Sequence, residues 1–135
     1  MMEDDSMVAY SIVNMYIMGI QAGIQAAHSQ TEMIALEAES GNPQANGEFN
    51  RWFSNPTMII KNGGNAAQMD MLCNRLCGQT EFSWGYHGED GLGGILTSLT
   101  ILMPRRRVLE SATTRTKCPE SDFVARFVNG LRLAR

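Results

Sequence analysis

Met18-Gly-Ile-Gln-Ala-Gly-Ile-Gln-Ala-Ala-His-Ser29 is a small-residue turn that runs straight into a helix. It follows Met7-Val-Ala-Tyr-Ser-Ile-Val-Asn-Met-Tyr-Ile17, a run of apolar, aromatic and β-branched residues that reads as a buried strand. The two together spell a strand-to-helix junction. Glycines let backbone approach a ligand, and the first helical N–H groups lack internal partners, so such a junction suits a phosphate or another ligand. On a helix starting near Gly19, residues Gln21, Gln25, His28 and Glu32 fall at i, i+4, i+7 and i+11 and share one narrow polar face. Ile20, Ile24, Ala27 and Ile34 form the expected core stripe beside them. The polar face has two readings: an ordinary solvated helix surface, or a site lined by two amides, an imidazole and a carboxylate.

Composition bounds what can be built around this junction. The 135 residues, 44% hydrophobic and 19% charged, suffice for one domain with its own core and do not suggest disorder. No apolar run reaches the roughly 18 residues needed to span a bilayer, and the first six residues are acidic where a secretory leader would be basic. A soluble cytoplasmic protein with a flexible acidic start is the expectation. Cys73 and Cys77 lie four apart on a predicted helix and Cys118 lies far away, a poor disulfide framework. Only His28 and His87 could join the cysteines at a metal, and neither has a ligand-like spacing to them, so no metal site and no cofactor are expected; the cysteines read as buried thiols.

The net charge of −3 conceals a division. Residues 1–104 carry three basic side chains (Arg51, Lys61, Arg75) against eleven acidic ones, whereas residues 105–135 carry eight against three. If any part touches a nucleic-acid backbone, it is the segment containing Arg105, Arg106, Arg107, Arg115 and Lys117. The competing reading is a solvated basic loop that maintains solubility. No Lys or Arg precedes position 51, so a site on the first strand and helix cannot supply its own cation.

Beyond the first helix, predicted to run to about Glu39, Ser40-Gly-Asn-Pro43 breaks the chain. Asn46 to Ser54 is short and helical or irregular, Thr57 to Lys61 is a second strand, and Asn65 is placed to cap a helix from Ala66 to Cys77. That helix puts Met69, Leu72, Cys73, Leu76 and Cys77 on one face, and Gly78 is placed to end it in the left-handed region. Thr80 to Tyr86 reads as a third strand with Phe82, Trp84 and Tyr86 on one side, and His87 to Gly94 as a glycine-rich loop. Ile95 to Met103 is the clearest strand; by simple alternation Thr97 points with Ile95, Leu99 and Ile101, and Ser98 with Thr100. Arg105 to Lys117 reads as a basic connection, and a closing helix starts near Pro119 with Phe123, Val124, Phe127 and Val128 inward. Leu131 to Leu133 suggests a small last strand. The prediction is a single α/β domain, residues 1–135: a four-stranded mixed sheet with helices on both faces.

This order and three local strings resemble the type 2 peptidyl-tRNA hydrolase family of archaea and eukaryotes. The first is Gln25-x-x-His28 followed by Ser29, where the family has Gly-Lys-x-Ala-Ala-Gln-x-x-His-Ala. The second is Leu96-Thr-Ser-Leu-Thr-Ile-Leu-Met-Pro104, where the family has a Thr-rich strand ending in Gly-Pro. The third is Phe127-Val-Asn-Gly-Leu-Arg-Leu133, where the family closes with a helix, a turn and Leu-Lys-Leu. Trp52 before the second strand also fits. The departures concern chemistry: Gln21 stands in the place of the family's catalytic lysine, and Ile20 in that of its glycine. The family's charged Arg-x-Asp-Leu signature falls on neutral residues around Val13 to Tyr16. Asp90 holds the place of the family's aspartate only if the following loop is shortened, and the second threonine is Thr97 or Ser98 depending on register.

The resemblance implies cleavage of the ester between a peptide and the 3′ end of tRNA. That reaction needs a positioned water, a group to activate it and donors for the developing oxyanion. Gln21 could donate a hydrogen bond but carries no charge; an imidazole such as His28 could act as base. Two function classes follow. One is a divergent aminoacyl- or peptidyl-tRNA hydrolase working through Gln21, Gln25, His28, Asp90 and Thr97 or Ser98, and gripping RNA through Arg105–Lys117. The other is a non-catalytic module on the same fold whose cleft holds a protein or small ligand, for which the ten methionines offer an adaptable surface. Neither involves a membrane, and a homodimer is compatible with both.

Overall fold

A computed structural model describes residues 6–17, 19–39, 43–78, 82–89, 95–110 and 119–133. The elements follow in the order β1 (Met7–Val13), α1 (Ile20–Glu39), α2 (Pro43–Ser54), β2 (Met58–Asn62), α3 (Ala66–Cys77), β3 (Trp84–Glu89), β4 (Ile95–Pro104), α4 (Arg105–Glu110) and α5 (Pro119–Gly130). The four strands make one mixed sheet in the order β2-β1-β4-β3. β1 and β2 run parallel, which requires the intervening helical crossover, while β4 lies antiparallel to both β1 and β3. Every residue of β1 is buried, as befits a central strand covered on both faces.

The sheet separates two packing layers. Val8, Tyr10 and Ile12 of β1 and Leu99, Ile101 and Met103 of β4 pack with Met69, Leu72 and Leu76 of α3, Val108 of α4, and Val124 and Val128 of α5. On the other face Met7, Ala9 and Leu102 pack with Met33 of α1 and Trp52 of α2, and Val13 packs with Ala22 and Ala26 of α1. Trp52 is buried with its indole N–H donating to the carbonyl of Thr57 at 3.0 Å, so its bulk enters the core without stranding a donor. The expected α/β domain with helices on both faces is what forms. Among the described residues no helix is long and apolar enough to cross a membrane.

Several local expectations are corrected. β1 ends at Val13 rather than Ile17, and Tyr16 is largely solvent-exposed. α2 begins at Pro43, ahead of Asn46. Residues 87–89, expected in a loop, continue β3 because β4 offers them partners. Residues 105–110, expected as connection, form α4, anchored by Val108 in the core. Leu131–Leu133 contributes only an isolated bridge between Leu133 and Lys61. Asn65 caps α3 as expected, in a reciprocal capping box with Gln68. Gly78, however, closes the helix at φ −89°, a conformation open to any residue. Cys77 is exposed and Cys73 half-buried, so neither is the buried core thiol expected; Cys118 lies outside the described residues.

The largest correction concerns α1. Ile20 is 80% and Ile24 40% exposed, whereas Ala22, Gln25, Ala26, Ser29, Met33 and Glu37 are buried. The buried face therefore lies on the opposite side of the Gln21–Gln25–His28–Glu32 stripe from the one Ile20, Ile24 and Ala27 marked, and of the expected stripe Ile34 alone packs, half-buried, against the core. The sheet supplies the reason. Beneath α1 it presents Ser11, Ser98 and Thr100, polar and small, and the helix answers with small residues that approach closely and hydrogen-bond. Gly85 of β3 lies directly under the helix: a Cβ there would sit 2.4 Å from the Met33 backbone nitrogen and 2.7 Å from its Cα. A glycine inside a strand marks such an approach of another backbone.

Candidate functional site

The site forms where β1 ends, α1 begins and β4 starts. Asn14, the residue after β1, is buried; its backbone N–H donates to the Thr97 carbonyl at 2.9 Å and its side-chain amide to the Leu96 carbonyl at 3.4 Å. Its Oδ1 accepts from the Tyr16 N–H, which turns the chain toward α1. Gly19, at φ +62°, completes the turn. Nothing lies within 4 Å of where its Cβ would be, so glycine serves the backbone angle here and not a close approach.

β4 reaches this corner through a β-bulge. Tyr86 pairs with Leu99 and His87 with Ser98, but Gly88 pairs with Leu96, which leaves Thr97 as an extra residue. Alternation therefore breaks. Leu96 joins the core under α3, and Thr97 turns toward α1 together with Ser98, contrary to the period-two expectation. The Thr97 hydroxyl donates to Gln25 Oε1 at 2.7 Å and lies 3.1 Å from the His87 carbonyl. Ser98 donates to the Gln25 backbone carbonyl at 2.6 Å. Gln25 is thus held at both its side chain and its backbone, 6% exposed, on the border between the polar stripe and the buried face. By taking Oε1, Thr97 fixes which end of the amide faces away from it, the NH2 end.

Next to this clamp stands a pair of imidazoles. His28 Nδ1 lies 3.2 Å from His87 Nε2, and the rings meet edge-on with centroids 4.5 Å apart. His28 is exposed and His87 half-buried. Deeper under α1, Ser29 Oγ lies 2.7 Å from Thr100 Oγ1, which lies 2.8 Å from Ser11 Oγ, and Ser29 also lies 3.1 Å from the Ala26 carbonyl. This buried hydroxyl chain ties α1 to both central strands and satisfies polar groups that would otherwise weaken the core.

Of the residues expected at the site, the fold brings together Gln25, His28, Thr97 and Ser98. Gln21 is exposed in the first turn of α1, seven residues and about 10 Å along the helix axis from His28. Asp90 lies outside the described residues, as do Arg115 and Lys117. Arg105, Arg106 and Arg107 start α4 at the far end of β4, about 20 Å of extended strand from Ser98. Arg106 pairs with Glu110 at 3.3 Å and Arg107 lies over the Phe82 ring. Lys61 does not replace the missing lysine. Its register opposite Ile12 puts it on the α3 and α5 face, where its ammonium donates to the Leu131 carbonyl and burial pushes its pKa down.

Sequence reading missed His87. It stood in a presumed loop, 59 residues from His28, and only the pairing of β3 with β4 carries it under α1. The bulge that aims Thr97 at Gln25 also floors an open cavity of about 320 Å³ on the opposite face, lined by Ala66, Asp70, Cys73, Tyr86, Gly88, Ile95 and Leu96. Burial and the neighbouring Cys77 and Asp70 push the Cys73 thiol up to about 11, so it is a poor nucleophile at neutral pH. Among the described residues no group of three or more His, Cys, Asp and Glu side chains converges as a metal cluster. No protein-family model matches the chain, and comparison with curated proteins finds no significant match.

Proposed function

We propose that the chain is a divergent peptidyl-tRNA hydrolase-like domain, a slow hydrolase of aminoacyl or peptidyl esters. The observation that carries this reading is the convergence on one corner of Gln25 and His28 from α1 with Thr97 and Ser98 from β4, some 70 residues apart in the chain. In this reading His28 takes a proton from water as the water oxygen attacks the ester carbonyl carbon. The oxyanion meets the amide NH2 of Gln25, and the departing 3′-oxygen recovers the proton from His28. Gln21, which stands where the resembled family has its lysine, carries no charge; losing one strong transition-state donor costs about a hundred- to a thousandfold in rate.

Wild type, His28→Ala and Gln21→Lys are compared on N-acylated aminoacyl-tRNA. His28→Ala abolishes turnover, and Gln21→Lys raises it by tenfold or more; position 21 is exposed, so the exchange disturbs no packing. Turnover that is absent from wild type and from Gln21→Lys alike refutes the hydrolase. Arg105–Arg107 start α4, which packs with α3 and α5 on the sheet face opposite α1, so their placement counts against their gripping an RNA whose ester sits at His28; RNA affinity that does not change with salt would exclude them as a phosphate-contacting surface.

A second reading, a binding module that kept the cleft, has one observation in its favour. Tyr16, Ile20 and Ile24, at 77%, 80% and 40% exposure, leave apolar surface at the mouth of the same junction.

A further inference from the structure

We propose that His87 is a positioning residue that acts through His28 and that the two imidazoles work as a dyad. The inference rests on the hydrolase reading for its chemistry, but its geometry stands apart from it. At 3.2 Å between His28 Nδ1 and His87 Nε2, one proton lies between two nitrogens: one ring donates and the other accepts. His28 is the more exposed ring, so its Nε2 is the nitrogen that water reaches. The pair is productive when His28 carries its proton on Nδ1 and gives it to His87 Nε2, which leaves His28 Nε2 bare and basic. His87 in turn carries its own proton on Nδ1.

The hydrogen bond does two things for the reaction. It selects the tautomer of His28 with a lone pair on the solvent side, the service that a hydrogen-bonded partner performs for a catalytic histidine elsewhere. It also accepts from the imidazolium that forms when water gives its proton to Nε2, spreading the charge over two rings. The proton balance closes within the site. Water loses one proton to His28 Nε2 as its oxygen bonds to the carbonyl carbon, the ester C–O bond breaks, and the leaving alkoxide takes that proton back. The products are an acid and an alcohol, and both rings return to their starting state.

His87 is the last residue of β3 in regular register before the bulge, its backbone paired opposite Ser98. Its carbonyl lies 3.1 Å from the Thr97 hydroxyl, whose single proton goes to Gln25 Oε1 or to that carbonyl, so His87 and Gln25 border the same residue. The close passage of α1 over Gly85, two residues before His87 on the same side of β3, brings His28 within reach.

The test has a structural arm and a kinetic arm, both on the full chain. Long-range 15N–1H correlations of the ring nitrogens report tautomers without any substrate. The expected spectrum has His28 protonated at Nδ1 and bare at Nε2 at pH 8, a preference that His87→Ala removes and His87→Gln, whose Oε1 still accepts, retains. In the kinetic arm His87→Ala lowers kcat by about tenfold or more with KM little changed, and His87→Gln recovers most of the loss. His28 protonated at Nε2 in wild type, or a tautomer that His87→Ala leaves unaltered, overturns the dyad. So does equal loss of kcat in His87→Ala and His87→Gln when both retain the wild-type melting temperature. If the spectra are as expected and no ester is cleaved, the dyad stands and the hydrolase reading alone falls.

Discussion

Replacing Gly85 by alanine is the sharpest probe of how α1 is seated. In a strand the exchange ordinarily stabilises, by about 0.4–1 kcal/mol, because it removes freedom from the unfolded chain. Here the new methyl group would lie 2.4 Å from the Met33 nitrogen and 2.8 Å from the Glu32 carbonyl carbon. Ordinary contact begins near 3.4 Å, so the helix must lift by about 1 Å, and backbone atoms cannot rotate aside as a side chain would. A rigid lift of that size stretches the Ser29–Thr100 contact from 2.7 Å and the Ser98–Gln25 bond from 2.6 Å beyond useful hydrogen-bond length. Overpacking of this kind costs about 1–3 kcal/mol, and each weakened buried hydrogen bond adds about 1 kcal/mol. Gly85→Ala should therefore lose about 2–4 kcal/mol in urea unfolding, equivalent to a fall in melting temperature on the order of 10 °C. The same displacement moves Gln25 and His28, and a 1 Å misplacement costs any reaction there about a hundredfold. A variant as stable as wild type or more so, with the His28–His87 contact unchanged, would refute the seating of α1 described above.

Three further outcomes test other parts of the structure. Ile20→Ser and Ile24→Ser should each change stability by no more than about 0.5 kcal/mol, because both side chains are exposed, whereas Ala22→Leu should be clearly destabilising; denaturant midpoints decide, and a large loss at Ile20 restores the opposite helix orientation. Thr100→Val, nearly isosteric, should cost about 1–3 kcal/mol, since it removes the shared partner of the Ser11 and Ser29 hydroxyls; thermal unfolding measures it, and a neutral result would mean the hydroxyl chain contributes nothing. Cys73, with its pKa raised to about 11, has roughly a thousandth of its thiol ionised at pH 8. Peptide mapping after iodoacetamide treatment should find it nearly unlabelled there, with labelling rising steeply toward pH 11; rapid labelling at pH 8 contradicts its burial.

Much of the architecture was legible because it is written in local chemistry. Asn65 and Gln68 announce the start of α3, Pro104 closes β4, and the run from Ile95 to Met103 admits only a strand. Two of the errors, the face of α1 and the end of β3, share a cause: they depended on what lies opposite. Ile20 and Ile24 looked like a core stripe because isoleucine normally is one, and only a polar sheet face at Ser11, Ser98 and Thr100 makes Ala22, Gln25 and Ser29 the better inward set. Residues 87–89 looked like loop because Gly88 and its neighbours are turn formers, yet pairing with β4 holds them extended.

The candidate site divides in the same way. Gln25 and His28 could be singled out because they stand on one helix at fixed spacing, and the absence of Lys and Arg before position 51 is plain in the sequence. Both are consequences of the covalent chain and of helical periodicity. That Thr97 and Ser98 both serve Gln25 could not be read, because a bulge shifts alternation by one residue and arises from the pairing of two strands. That His87 meets His28 could not be read either. It takes β3 at the sheet edge, a glycine at position 85 that lets α1 descend, and a separation of 59 residues closed by folding. The sequence by itself determined the bodies of α1, α3, α5, β1, β2 and β4, since propensity, capping and periodicity act within a few residues, whereas α4 and the end of β3 took their state from the core and the strand they meet. The tertiary structure alone decided which side of α1 is buried and which imidazole the base meets, since both follow from the surface that another part of the chain presents.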